Sequence, residues 1–288
     1  MFLVEVITMN TKKCLQIKKL INEADAIIIG AGAGLSASAG LDYSPSSFKK
    51  YFPELVKAYG MTDMYTSSFY EFNSPEERWS YWAKHINYSY ISKPSFKTYQ
   101  NLLKIVQDKE YFVITTNVDG QFLKAGFNPK KVFEVQGSYN KIQCSVACHS
   151  KTYDNTNMVK QMLLSKDNLK VSHNLVPYCP ICGQEMTINI RKDDYFVEDQ
   201  NWHNLNQAYE NFLNNNLNKK IVLLELGIGF NTPGIIRFPF EQLASTYKNI
   251  TLIRINNTSL ETIYELKNNF ISLKEDCSLA IAKLHSGQ

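Results

Sequence analysis

Residues 26–40 (AIIIGAGAGLSASAG) constrain the fold more than any other stretch of this chain. An apolar run typical of a buried strand leads into closely spaced glycines and then into the start of a helix. Residues 32–37 (GAGLSA) fit the pattern G-x-G-x-x-A, in which small residues let backbone N–H groups approach a phosphate at a helix N-terminus. A tight strand-to-helix turn without a ligand is the alternative. The stretch therefore predicts a nucleotide-binding turn.

An ordinary dehydrogenase is disfavoured by the residues that follow this turn. Its second strand should end in an acidic residue about 20 residues after the glycines, where it binds a ribose. Residues 43–65 contain no such strand, and Asp42 comes too early. The nucleotide, if bound, serves another kind of chemistry.

Composition and charge exclude several classes of protein. The 288 residues, 44% hydrophobic and 20% charged, can form one large core and a smaller one. The net charge of +4 comes from interspersed residues, so neither nucleic acid nor an anionic membrane surface is indicated as a partner. Residues 1–7 are too short for a signal sequence, and no apolar run reaches 18 residues. We therefore expect a cytoplasmic protein.

Alternating apolar runs and helical patterns predict a doubly wound parallel α/β sheet. An amphipathic helix over residues 9–23, with Cys14, Leu15, Ile17, Leu20 and Ile21 on one face, precedes the first strand. Residues 44–101 are rich in aromatic side chains and predict a helical insertion that covers the site. Further strands are expected at 111–115, 132–135, 220–226, 251–255 and 270–273.

Two polar loops follow neighbouring strands of this predicted sheet. Residues 116–119 (TNVD) and 136–138 (QGS) come directly after apolar runs. Side chains at the carboxyl ends of parallel strands face the ligand crevice, so these loops are the candidate reactive loops. The alternative for Asn117 and Asp119 is the capping of a short helix, which is compatible with a role in catalysis.

Four of the six cysteines form two closely spaced pairs, Cys144 with Cys148 and Cys179 with Cys182. Two short pairs brought together by a looped-out segment make a tetrahedral thiolate site, and closed four-cysteine sites are structural zinc sites. Paired disulfides or unrelated thiols are the alternatives. We expect a zinc ion that holds the fold and does no chemistry.

Several motifs, taken in chain order, resemble those of sirtuins: the glycine turn, TTNVDG at 115–120, EVQG at 134–137, the two Cys pairs, GIG at 227–229 and IN at 255–256. In that family a Rossmann-like domain binds NAD in a cleft against a helical and zinc module, and an acceptor attacks the ribose carbon that carries nicotinamide. The resemblance implies a Rossmann-like doubly wound parallel sheet with a smaller helical plus zinc-binding module. NAD would be consumed as a co-substrate.

The resemblance also implies a division into domains. The Rossmann-like NAD-binding domain would comprise residues 1–44, 109–137 and 219–288. The smaller domain would comprise a helical insertion at 45–108 and a zinc-binding module at 138–218.

The chain departs from the sirtuin motifs in four places. Most sirtuins have Val-His-Gly in the third motif, where the His is the general base, and this chain has Gln136. The usual GIPDFR is GLDYS at 40–44, without Pro or Arg. The usual Gly-Thr-Ser is GIG at 227–229, and the first Cys pair has three intervening residues in place of two.

The glutamine is the most informative departure. A neutral amide cannot take a proton near pH 7, and a positioned general base is typically worth about 10²–10⁴-fold in rate. Loss of the His should therefore greatly lower the rate of sirtuin deacylation. Cleavage of the nicotinamide–ribose bond needs orientation and charge stabilisation instead, and a carboxylate acceptor is already ionised at neutral pH. ADP-ribosyl transfer is the chemistry that remains.

Gln136 together with the altered glycine loop is similar to the macrodomain-linked bacterial sirtuins of class M. Those are protein mono-ADP-ribosyltransferases that modify a lipoylated glycine-cleavage H-like carrier protein, and a partner macrodomain hydrolase reverses the modification. The resemblance implies that Asn117, Asp119 and Gln136 act at the reacting centre. It implies NAD contacts at Gly32, Ala33, Gly34, Ser36, Asp42, Tyr43, Asn117, Asp119, Gln136, Gly227, Ile228, Gly229, Asn256, Asn257 and Cys277.

Three other functions stay open at this point. A residual NAD-dependent lysine deacylase would need another base, and none of the five histidines lies in a predicted cleft loop. A simple NAD glycohydrolase would use water as the acceptor. A non-catalytic sensor of NAD or ADP-ribose would explain the missing Arg and hydroxyls, but the presence of both Asn117 and Asp119 argues against it.

Overall fold

The computed structural model describes residues 2–165, 167, 169–266 and 268–286, so residues 1, 166, 168, 267, 287 and 288 of the predicted domain ranges lie outside the described residues. The α-helices in this part of the chain are α1 (Phe2–Glu23), α2 (Ala33–Ser38), α3 (Pro45–Tyr51), α4 (Pro53–Tyr59), α5 (Met64–Ser67), α6 (Pro75–Ile86), α7 (Lys97–Val106), α8 (Gln121–Lys124), α9 (Thr156–Met162), α10 (Gln200–Asn216), α11 (Arg237–Thr246) and α12 (Cys277–Ser286). The strands are β1 (Ala26–Ala31), β2 (Glu110–Thr115), β3 (Val132–Glu134), β4 (Gly137–Cys144), β5 (Tyr153–Asp154), β6 (Met186–Ile190), β7 (Ile221–Leu226), β8 (Ile250–Asn256) and β9 (Phe270–Lys274).

Six parallel strands form the main sheet in the order β3-β2-β1-β7-β8-β9. Strands β1 and β7 are buried along their whole length, as apolar strands covered by helices on both faces must be. Each predicted apolar run is one of these strands, so the prediction of a doubly wound parallel sheet is confirmed. The strand order changes direction at β1, and such a switch point opens a crevice at the carboxyl ends of the strands.

Helices cover both faces of the main sheet. Ile17 of α1, Leu102 of α7 and Ile281 of α12 pack on one face. The predicted amphipathic helix is longer than expected, because α1 begins at Phe2. The assignment of Leu15 to its buried face was wrong, since this side chain is 56% exposed. Among the described residues, none of the helices combines the length and hydropathy needed to cross a membrane.

A second, antiparallel sheet in the order β5-β4-β6 packs with the helical insertion. One hydrophobic cluster joins Trp79 and Trp82 of α6 to Ile142 of β4 and Ile188 of β6. The aromatic side chains of the insertion therefore belong mostly to a core. The helical insertion and the strands of the zinc-binding module form one packed unit.

Helix α10 packs on the main sheet, although the predicted range 138–218 places it with the zinc-binding module. The ring of Trp202 lies 5.1 Å from that of Phe133, and the ring of Phe212 lies 5.6 Å from that of Phe112. Both partners belong to strands of the main sheet. We therefore propose that the boundary of the module lies before Gln200.

Candidate active site

The glycine turn lies at the carboxyl end of β1 and contacts the loop that follows β7. The Gly34 N–H donates to the Gly227 carbonyl at 3.0 Å, and the Gly227 N–H donates to the Ile255 carbonyl at 3.0 Å. A Cβ on Gly34 would lie 2.8 Å from the Gly227 oxygen, and one on Gly32 would lie 3.0 Å from it. Two of the predicted NAD-binding segments are thus held together by backbone contacts that only glycine permits.

Replacement of Gly227 by alanine should destabilise this contact strongly. Its φ is +61°, and a Cβ there would lie 2.3 Å from the Leu35 nitrogen. We expect the free energy of unfolding to fall by about 1–3 kcal/mol, a typical strain at such a backbone position. Gly229→Ala is the matched control, since a Cβ there has no atom within 4 Å. Urea denaturation of both variants is the measurement, and equal midpoints would contradict the strain argument.

Four buried polar side chains form a cluster beneath the glycine turn. The Ser36 hydroxyl donates to Asp119 Oδ2 at 2.5 Å and lies 2.7 Å from the Tyr99 hydroxyl. The Asn117 amide donates to the Gly32 carbonyl at 3.0 Å and to Ser36 Oγ at 3.1 Å. The predicted reactive loop after β2 and the glycine turn therefore meet. Ser36 is 1% exposed and its hydroxyl bonds only to other protein groups, so its side chain stabilises the turn from the protein interior.

The cluster contains Tyr99, which the sequence did not single out. This residue lies on α7 and is 0% exposed. In the sequence it is one aromatic residue on the buried face of a helix, and nothing local marks its hydroxyl as part of a site. Its packing against Phe122, with ring centroids 4.9 Å apart, fixes the ring.

Two carboxyl groups of this region have raised pKa values. Burial raises the pKa of Asp119, while hydrogen bonds from the Ser36 hydroxyl and the Gln121 N–H oppose the shift. Burial, and then the charge of Asp119, raise the pKa of Glu134 to about 8. Perturbed carboxyl groups that influence one another are typical of functional sites. Glu134 belongs to the EVQG motif at 134–137, but the sequence did not predict it as a site residue.

The loop that carries Gln136 lies beside the loop that carries Asn117. Thr115 pairs with Glu134 in the parallel register of β2 and β3, and the Tyr139 N–H donates to the Val118 carbonyl at 2.9 Å. Gln136 is half-buried, two residues beyond the end of β3. The arrangement brings the three predicted catalytic side chains to one edge of the sheet.

The segment in which the family pattern breaks is well anchored. Asp42 accepts hydrogen bonds from the Ser44 N–H at 2.8 Å and from the Ser47 hydroxyl at 2.5 Å. The Tyr88 hydroxyl donates to the Asp42 carbonyl at 2.6 Å. The bond from the Ser47 hydroxyl, and then the bond from the Ser44 N–H, lower the pKa of Asp42. The Asp42 carboxylate thus holds the start of α3.

The remaining predicted contacts surround the loop after β7. Asn256 donates to the Ile228 carbonyl at 2.8 Å, whereas Asn257 is exposed. Cys277 is buried, and its thiol donates to the Ile255 carbonyl at 3.4 Å. Burial, and then the charge of Asp276, raise the pKa of Cys277 to about 12, so this thiol is not a reactive one. Asn256 and Cys277 therefore bond to backbone carbonyls at this loop, whereas the side chain of Asn257 is exposed to solvent.

A buried network of ion pairs behind this loop was missed by sequence reasoning. Arg254 donates to Glu225 at 2.7 and 2.9 Å and to Glu241 at 2.7 Å. Arg237 donates to the Ile228 carbonyl at 3.2 Å. All four charged side chains are 0% exposed. The network therefore fixes one backbone group of the predicted NAD-binding loop.

The four predicted zinc ligands converge in the structure. Their sulfur atoms all lie within 4.8 Å of one another, and the Cys144–Cys182 and Cys148–Cys179 separations are 3.5 and 3.6 Å. A tetrahedral zinc site with Zn–S bonds of about 2.3 Å requires sulfur separations of about 3.8 Å. The cluster fits structural zinc, as predicted. It lies at the end of β4, within the smaller unit.

Comparison with known proteins identifies the family. The Sir2 family model matches residues 32–223. A protein of Staphylococcus aureus named "Protein ADP-ribosyltransferase" is 34% identical over 272 residues, which is 94% of this chain and 86% of that protein. The chain belongs to the Sir2 family. Sirtuins use NAD as a co-substrate, which agrees with the prediction that NAD is consumed.

Two further similarities agree with membership of this family. A "Probable bifunctional ADP-ribose hydrolase/ADP-ribosyltransferase" of Fusarium oxysporum f. sp. cubense is 33% identical over 253 residues, 83% of this sirtuin and 41% of that protein. The solved structure "Sir2-p53 peptide-NAD+" aligns with a TM-score of 0.58 at 18% identity, covering 94% of this chain and 97% of the other. At that identity the likeness shows the sirtuin fold alone.

Proposed function

We propose that this sirtuin is a protein mono-ADP-ribosyltransferase, which transfers ADP-ribose from NAD to a lipoylated glycine-cleavage H-like carrier protein and releases nicotinamide. The observation that carries the proposal is Gln136 at the position of the usual general-base His, beside a pre-organised Asn117 and Asp119. The names of the relatives from Staphylococcus and Fusarium support the same reaction type.

The side chains of the cluster suit a reaction in which a bond breaks and positive charge develops on the carbon that remains. NAD supplies a ribose carbon with a cationic nicotinamide leaving group. Asp119 is held by Ser36 and by the Gln121 N–H, so its carboxylate is oriented before any substrate arrives. The Asn117 amide nitrogen donates hydrogen bonds to the Gly32 carbonyl and to Ser36 Oγ. The amide oxygen is therefore the group that can orient a substrate. Pre-organised groups of this kind stabilise developing charge without reorganising.

Deacylation is disfavoured because none of the five histidines, all of which lie in the part of the chain that the structure describes, bonds to the cluster. Both ring nitrogens of His85 contact tyrosine hydroxyls inside the smaller unit. His149 lies beside the Cys179 sulfur at 3.7 Å, and His173 pairs with Glu76 on the surface. His203 and His285 lie on α10 and α12. The amide of Gln136 cannot replace a base near neutral pH.

The proposed partners follow from the same resemblance. The acceptor would be the lipoylated carrier, and a macrodomain ADP-ribosyl hydrolase would remove the modification. The cytoplasmic location stays a prediction from the sequence.

One incubation tests the proposal against its alternatives. The protein is mixed with NAD labelled in its adenylate part, a lipoylated carrier and an acyl-lysine peptide, with unlipoylated carrier as the matched control. We expect label on the lipoylated carrier. Deacylated peptide would indicate a deacylase, free labelled ADP-ribose alone a glycohydrolase, and intact NAD a sensor. Each of these three results would contradict the transferase.

A further inference from the structure

The backbone that carries Gln136 is held by the end of β6 and the loop that follows it. The Arg191 N–H donates to the Gln136 carbonyl at 3.0 Å. The next residue, Gly137, has a φ of +89°, and a Cβ there would lie 2.0 Å from the Asn189 carbonyl oxygen, so only glycine fits at this position. Residues 189–191 therefore contact the backbone on both sides of the peptide that joins Gln136 to Gly137.

The loop after β6 is supported by two buried side chains. Residues 191–199 have no regular secondary structure, and Val197 within them is buried, so its backbone polar groups need partners inside the protein. Gln143 of β4 donates to the Tyr195 carbonyl at 2.6 Å and accepts from the Val197 N–H at 2.9 Å. Asn189 of β6 donates to the Val197 carbonyl at 3.0 Å. Gln143 and Asn189 are 2% and 3% exposed, and we name them the buried amide pair.

The two side chains of the pair also bond to each other, and the direction of each bond is fixed. Because the Val197 N–H can only donate, the Gln143 atom that faces it is the amide oxygen. The same oxygen accepts from Asn189 Nδ2 at 2.7 Å. The Gln143 nitrogen faces the Tyr195 and Cys144 carbonyls, at 2.6 and 3.4 Å. Every contact of the pair therefore joins a donor to an acceptor.

Asn189 connects the buried amide pair to the loop that carries Gln136. Its side chain bonds within the pair, its carbonyl lies against Gly137, and two residues later the Arg191 N–H bonds to the Gln136 carbonyl. Loss of the Asn189 amide would remove a donor from the buried Val197 carbonyl and from the Gln143 oxygen, and unpaired buried polar groups are costly. The backbone next to Gln136 would then lose part of its support.

We propose that Asn189 is a positioning residue, which acts through the backbone of residues 189–191 to hold Gln136 at the reaction centre and so sets the rate of nicotinamide release. A misplacement of about 1 Å at a reaction centre can cost about 10²-fold in rate. The kinetic part of this inference rests on the proposed function. The structural coupling between Asn189 and the Gln136 backbone does not.

The first experiment compares Asn189→Leu with a matched control at the opposite edge of the sheet. The kcat for nicotinamide release should fall about tenfold in Asn189→Leu, with a much smaller change in the KM for NAD, because the glycine turn is unchanged. Asn189→Ser keeps one donor, should lose less, and replaces Asn189→Leu if that variant does not fold. Asn249→Leu is the control, since the Asn249 amide donates to two backbone carbonyls at 2.7 and 2.6 Å but directly precedes β8, at the amino ends of the strands.

A double-mutant cycle shows whether Asn189 acts through Gln136. If it does, Asn189→Leu should lower kcat no further in the Gln136→Ala background. Additive losses in kcat, an equal loss in Asn249→Leu, or an unchanged kcat in the folded Asn189 variants would overturn the positioning role.

Hydrogen exchange tests the coupling without any activity. The Arg191 amide, which bonds to the Gln136 carbonyl, should exchange about tenfold faster in Asn189→Leu than in the wild type, and at the wild-type rate in Asn249→Leu. Unchanged exchange of the Arg191 amide in Asn189→Leu would overturn the coupling. If the wild type releases no nicotinamide, the proposed function fails, and exchange at Arg191 still decides whether Asn189 holds the Gln136 backbone.

Discussion

Asn117→Ala and Gln136→Ala are each expected to lower the labelling of the acceptor protein by about 10²–10³-fold, the usual effect of removing one pre-organised polar group from a reaction centre. Both side chains follow the carboxyl ends of neighbouring strands, where the register of β2 and β3 brings their loops together. Gln136 is half-buried, so its truncation should leave the fold intact. Initial rates of transfer from labelled NAD are the measurement.

Asn117 requires a separate control for structure. Its amide protons bond to the glycine turn and to Ser36, so Asn117→Ala could act by loosening that turn. Asn117→Asp keeps the shape and an oxygen but loses the donors, and the Kd of NAD separates weaker binding from slower chemistry. Gln107→Ala, an exposed residue at the end of α7, is the matched control for Gln136→Ala. Full labelling by both Asn117→Ala and Gln136→Ala would contradict the assignment of the reaction centre.

The sequence predicted the main sheet because its central parallel strands are buried on both faces. Such a strand appears as a short, almost continuous apolar run, and the runs at β1, β2 and β7 are visible without any structure. The cysteine pairs were equally informative, since their spacing predicted a four-thiolate site and their sulfur atoms converge in the structure. These signals are local in the chain.

The parts that the sequence did not reveal depend on contacts between distant residues. Tyr99 joins the proposed reaction centre through a hydrogen bond to Ser36, 63 residues away, and His85 meets Tyr139 from 54 residues away. A lone histidine on a helix and a tyrosine on a buried face carry no local mark of the contacts that they make. The packing of α10 on the main sheet was hidden for a similar reason, because only tertiary packing shows which sheet an amphipathic helix covers.

The buried ion network predicts the largest effect on stability. Arg254 bonds to both oxygens of Glu225 and to Glu241, and all three side chains are 0% exposed. Burial raises the pKa of Glu225, and the positive charge of Arg254 opposes that shift. Arg254→Met would leave two carboxylates buried near Arg237 alone. Breaking a buried pair in this way typically costs about 3–5 kcal/mol, so we expect a loss of that size in the free energy of unfolding.

A surface pair provides the comparison for this prediction. Arg191 bonds to Glu198 with both side chains partly exposed to solvent, so Arg191→Met should cost no more than about 1 kcal/mol. Adding Glu225→Leu to Arg254→Met should recover part of the loss, because one unpaired charge is then removed. Urea denaturation of the three variants is the measurement, and equal losses for Arg254→Met and Arg191→Met would contradict the network. Because Arg237 holds the Ile228 carbonyl and shares its carboxylates with Arg254, the two Arg254 variants should weaken NAD binding in the order of their instability.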